Sequence, residues 1–84
     1  MSGWLRAASI AQAARKPMSS HIFQEVTAHL MLATPTAHWL EVLDIADPVL
    51  ARPLRVEDGM ALVPELPGTG LEWDAEAVAR FRVA

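Results

Sequence analysis

Pro17 and Pro35 divide the first half of this chain, because a proline withholds a backbone donor and bars helical geometry at the residue before it. Upstream, from Ser2 to Arg15, Trp4, Leu5, Ala8, Ile10 and Ala11 recur near helical spacing, and the alanines favour helix, with Ser2 placed to cap its start. After Pro17 the run "PMSS" is too short for a helix and reads as a buried strand entering a loop. A second helix is expected from Phe23 to Ala33, with Phe23, Val26, Leu30 and Ala33 on its inner face, stopped by Pro35. "AHWLEVLDI", Ala37 to Ile45, is an apolar run broken by Glu41 and fits a strand buried on both faces. Helix, strand, helix, strand with short connections is the order of a parallel α/β sheet.

Two parallel strands and one helix between them cannot complete such a sheet, since each strand needs covered faces and paired edges. With 84 residues the chain is at most one small domain, yet 52% of it is hydrophobic and only 20% charged. That apolar excess points to an oligomer or to a piece of a larger core, and "SGWLRA", helix-forming from the outset, reads as a start inside a domain. Beyond Asp47-Pro48 the pattern changes. Alternation around Asp58-Gly59 predicts a hairpin from Leu54 to Val63. Pro64, Pro67, Gly68 and Gly70 predict a turn-rich loop, and Asp74 is placed to cap a last helix, "AEAVARFR". The division expected is therefore 1–47 and 48–84.

Several function classes are excluded at this level. A net charge of -3 with seven dispersed basic residues leaves no footprint for nucleic acid or an anionic membrane. No apolar run reaches the roughly 18 residues of a spanning helix and no leader-like segment opens the chain, so it reads as soluble and cytoplasmic. Without cysteine there is no disulfide, thiolate metal site or thiol catalysis.

Of the side chains left for chemistry, His21, Glu25 and His29 are spaced four apart, as ligands along one helical face would be. The spacing does not match a His-Glu-x-x-His site, and His21 is expected before the helix, so local hydrogen bonding by Glu25 and His29 is the competing assignment. His21 itself falls at the end of a strand, where α/β folds bind ligands, and titrates nearest neutral pH. Glu41 lies in the next strand among apolar residues, where burial favours the protonated carboxyl. The two form a base and acid pair, unless His21 is structural and Glu41 is the partner of Arg52 or Arg55. Ser19 and Ser20 lack a nucleophile elbow and are expected to satisfy loop backbone, "PGTG" lacks the residues of a phosphate loop, and the three tryptophans are expected in the core.

The Ser-Ser-His motif, Glu41 twenty positions after His21 and the Pro-Gly-x-Gly tail together carry a resemblance. The chain resembles the C-terminal part of the mandelate racemases, in the mandelate racemase/muconate lactonizing enzyme family of the enolase superfamily. That resemblance implies an α/β fold, namely the C-terminal fragment of a (β/α)8 TIM-like barrel: its last two β/α units, a short β-hairpin and loop tail, and a terminal helix. The tail, 48–84, would return to the N-terminal capping domain of the parent. It implies that His21 is one of two opposed bases acting on the α-proton of a 2-hydroxy carboxylate, and Glu41 the acid that donates to the substrate carboxylate as a Mg-stabilised enediolate forms. Ile22 and Leu43 would border the substrate's apolar group. In a sugar-acid dehydratase of the same superfamily, His21 would instead protonate the departing hydroxide. The family's Lys-x-Lys base, its three magnesium-binding carboxylates and the aspartate behind the histidine have no counterpart here, Lys16 being the only lysine. The isolated chain is thus expected to bind no Mg2+ at that site and to be inactive, its parent being a homo-oligomer. A noncatalytic remnant that oligomerises is the rival from outside enzymology.

Overall fold

The computed structural model describes residues 1–84. It contains three α-helices, a single turn of 3-10 helix at Asp47–Val49 and a two-stranded antiparallel sheet, arranged in two compact units, Met1–Leu43 and Asp44–Ala84.

In the first unit, α1 (Ser2–Ala13) ends shortly before Pro17 and α2 (Gln24–Leu32) shortly before Pro35. Ser2 does not cap α1; Met1 occupies that position and no side chain bonds there. The helices are tied together by the Trp4 indole, which donates to Thr34 Oγ1 at 2.8 Å, while the Thr34 hydroxyl donates to Leu30 O at 2.7 Å. Ala8 and Ala28 are buried.

The inner face of α2 differs from the one expected. Phe23 precedes the helix in a left-handed conformation and is exposed, and the buried positions are Gln24, Thr27 and Ala28. Nor is Ala37–Ile45 a strand buried on both faces. The parallel pairing is a single bridge, Met18 with Ala37, and Trp39, Val42, Leu43 and Ile45 are exposed. The physical reason is the one that limits any parallel strand: within this unit only one segment runs beside it, and no helix covers its other face. Trp39, at 70% exposure, is accordingly no core residue, and Trp73 is also exposed.

In the second unit, β1 (Arg55–Glu57) pairs with β2 (Met60–Leu62) in the register Val56 to Ala61. Asp58 and Gly59, with φ of 51° and 74°, form the two-residue turn whose twist matches that of the strands. Gly70 is also left-handed, and a Cβ there would lie 3.1 Å from Leu66 Cβ, so both backbone and packing select glycine. Leu50 bridges Trp73 antiparallel, which brings the start of α3 (Ala75–Phe81) beside the 3-10 turn. The Asp74 carboxylate caps α3 by accepting from Ala77 N at 2.9 Å, with Glu76 in the first turn and Arg80 in the last, both favourable to the helix dipole. Leu50 and Ala77 are this unit's buried apolar residues. Arg52 pairs with Glu72 and Arg55 with Glu57.

Candidate active site

The site is built where a parallel ladder begins and then gives way to side chains. Met18 N donates to Thr36 O and His38 N donates to Met18 O, both at 2.9 Å, as in regular parallel pairing. Ser20 N then reaches Trp39 O at 2.9 Å, one residue further along than a regular ladder would place it. From this slip onward the two segments are joined largely through side chains. Ser19 Oγ accepts from Trp39 N at 3.2 Å and Ser20 Oγ accepts from Glu41 N at 2.9 Å, so both serine hydroxyls serve backbone. Ile22 N donates to Glu41 Oε2 at 2.6 Å. Gln24 then donates through Nε2 to Leu43 O at 2.8 Å and accepts through Oε1 from Leu43 N at 3.3 Å.

His21 and Glu41 are brought together by this arrangement. His21 Nδ1 lies 3.8 Å from Glu41 Oε2, close for a charged pair and too long for a direct hydrogen bond. Their side chains are 79% and 43% exposed, so both can reach a bound molecule. The buried carboxyl expected from the apolar run is not found; Glu41 is exposed, and the ionisable side chain beside it is His21. Because Ile22 N–H occupies Oε2, the carboxylate oxygen left open to a ligand is Oε1.

Ile22 and Phe23 both have positive φ, 45° and 52°, a conformation costly for any side chain and especially for a β-branched one. It turns the chain sharply between His21 and α2, which is what allows the Ile22 amide to face Glu41. The Thr27 hydroxyl braces the turn, donating to Phe23 O at 3.0 Å and Ile22 O at 3.3 Å. Ile22 stands next to His21 in sequence, and Leu43, two residues past Glu41, is tied by its backbone to Gln24.

Glu25 and His29 lie within α2, whereas His21 precedes it, so the three do not line one helical face. No three His, Asp or Glu side chains in the chain are grouped to hold a metal ion, and its own residues therefore do not fit the magnesium site that the resemblance implies. Gln24 and Thr27 were not foreseen as supports of the site. Their signal in the sequence is spacing: Gln24, Thr27 and Ala28 fall at i, i+3 and i+4, a polar and small face that the neighbouring apolar residues overshadow.

Known proteins resemble this chain along most of its length. A protein described as an enolase, from Bradyrhizobium and solved with magnesium and mandelic acid, is 52% identical and superposes with a TM-score of 0.91 over 99% of this chain and 23% of its own. The L-talarate dehydratase from Polaromonas, solved with Mg and L-glucarate, is 30% identical with a TM-score of 0.83, over 94% of this chain and 22% of its own. The 3,6-anhydro-alpha-L-galactonate cycloisomerase of Streptomyces coelicolor is 28% identical over 79 residues, 93% of this chain and 22% of the relative. The chain thus spans between a fifth and a quarter of the length of these relatives. Residues 1–78 match the family described as enolase C-terminal domain-like, and the chain belongs to that family.

Proposed function

We propose that these residues form the C-terminal part of a mandelate racemase-like (β/α)8 enzyme that abstracts the α-proton of a 2-hydroxy carboxylate. Residues 1–47 would supply the last two β/α units and 48–84 a tail packed on the N-terminal capping domain. The observation that carries the reading is the exposed His21–Glu41 pair, 3.8 Å apart. His21 takes the proton from one face of the α-carbon. Glu41, entering the reaction as the carboxylic acid, donates its Oε1 proton in a hydrogen bond to the substrate carboxylate as negative charge develops there, the kind of placed donor that lowers such a barrier most. Ile22 and Leu43 border the apolar group. The opposing base and the magnesium ligands belong, in this proposal, to the upstream part of the enzyme. Greater identity to the protein solved with mandelic acid, 52% against 30%, favours a racemase over a sugar-acid dehydratase.

The test joins this chain to the upstream part of the Bradyrhizobium relative and follows mandelic acid racemisation by circular dichroism with magnesium present. Turnover is expected, and His21→Asn or Glu41→Gln should each lower kcat by about 10²- to 10⁴-fold, the usual contribution of a placed acid or base. A well-folded joined enzyme that turns over neither mandelic acid nor L-glucarate, or variants that keep full activity, would overturn the proposal. Dehydration of L-glucarate without racemisation would select the dehydratase.

A further inference from the structure

We infer that Gln24 is a positioning residue of this site, setting where Glu41 and Leu43 stand relative to His21; the inference rests on the proton-transfer reading above. Gln24 touches neither His21 nor Glu41, and three observations lead to it. At 1% exposure it is the most deeply buried large side chain in the chain, although a glutamine in the first turn of a helix would ordinarily face water. Its amide is satisfied twice by one residue, donating to Leu43 O and accepting from Leu43 N, as the backbone of a strand would. It also stands at the far end of a series of links, in which Ser20 holds the Glu41 amide, Ile22 holds the Glu41 carboxylate and Gln24 holds Leu43.

A slip of one residue between the two segments would bring a different backbone unit to Ser20 and Gln24 and carry the Glu41 carboxylate away from His21 and the Ile22 amide. The regular pairing that would prevent such a slip ends at the Met18–Ala37 bridge. Beyond it, the backbone of the second segment is held at Trp39 by Ser19 Oγ and Ser20 N, at Glu41 by Ser20 Oγ and, past Glu41, at both the N–H and the carbonyl of Leu43 by the Gln24 amide. Gln24 also opens α2, immediately after the left-handed Ile22 and Phe23, so the same residue fixes the end of the turn that aims the Ile22 amide at Glu41.

Gln24→Met keeps the shape and removes both hydrogen bonds; Gln24→Glu keeps the acceptor for Leu43 N and loses the donor for Leu43 O. In the joined enzyme, Gln24→Met should lower kcat by about tenfold or more with KM within a factor of about two, as expected for an interaction that matters mainly in the transition state. Gln24→Glu should fall between it and the parent. The loss should also be non-additive: with Glu41→Gln already present, adding Gln24→Met should change kcat little, because the group it positions is gone. Nuclear magnetic resonance of the 84-residue chain gives a second readout, in which Gln24→Met and Glu41→Gln should both shift the Ile22 amide proton. A Gln24→Met effect confined to the Leu43 amide, or losses that multiply in the double variant, would leave Gln24 as packing alone and overturn the inference. If Gln24→Met does not fold, the same comparisons are made with Gln24→Glu. If Glu41→Gln retains full turnover, the catalytic reading fails instead, and the Ile22 amide still decides whether Gln24 sets the geometry.

Discussion

Ile22 and Phe23 stand in a conformation that costs roughly 1–2 kcal/mol per non-glycine residue, so something nearby must hold them. Two groups do: the Glu41 carboxylate, which accepts from the Ile22 amide, and the Thr27 hydroxyl, which bonds both carbonyls of the turn. Thr27→Val preserves shape and removes only the hydroxyl. It should destabilise the chain by about 1 kcal/mol, the usual net value of such a bond, while Thr27→Ser retains part of it. Urea titration of the three proteins measures the difference. His21 and Glu41 were legible because their residue types and separation mark them, and Ser19 and Ser20 because no elbow surrounds them. Gln24 was not, since a polar residue next to "IF" and "EV" reads as solvent-facing until its two bonds to Leu43 are seen.

At the level of elements, legibility followed sequence separation. The hairpin and α3 were read in place because Asp58-Gly59 and Asp74 act within a few residues of themselves. The two segments were read correctly as parallel neighbours, which the Met18–Ala37 bridge shows, but not in the extent of their pairing or their burial, which depend on neighbours distant in sequence; the slip after Met18 has no local signature. Because these local devices act alone, their removal should have local effects. Asp74→Ala should cost about 1 kcal/mol by freeing the Ala77 amide, seen as faster hydrogen exchange through α3 with the hairpin unaffected. Gly59→Ala, which forces a side chain into a φ of 74°, should cost about 1–2 kcal/mol and be confined to β1 and β2.

Across the whole molecule the balance between buried and exposed apolar surface is unusual. The buried apolar residues are Ala8, Ala28, Leu50 and Ala77, three of them alanine, while Ile10, Phe23, Trp39, Trp73 and Phe81 are all more than half exposed. Apolar surface on this scale favours association. The purified chain should therefore sediment in a concentration-dependent way, and a stable monomer at all concentrations would contradict the prediction. The links around His21 and Glu41 also have a kinetic side. They span 19, 20 and 21 residues, and each encloses α2. Whichever forms first closes a loop of about 20 residues, and each of the others then has only a few residues of chain left to close, at a smaller entropic cost than the first. Once one is made, the rest follow more readily, so the amides of Ile22, Glu41 and Leu43 should exchange with a common opening free energy. The His21–Glu41 geometry would then form and dissolve as one cooperative event, with no half-assembled state in between.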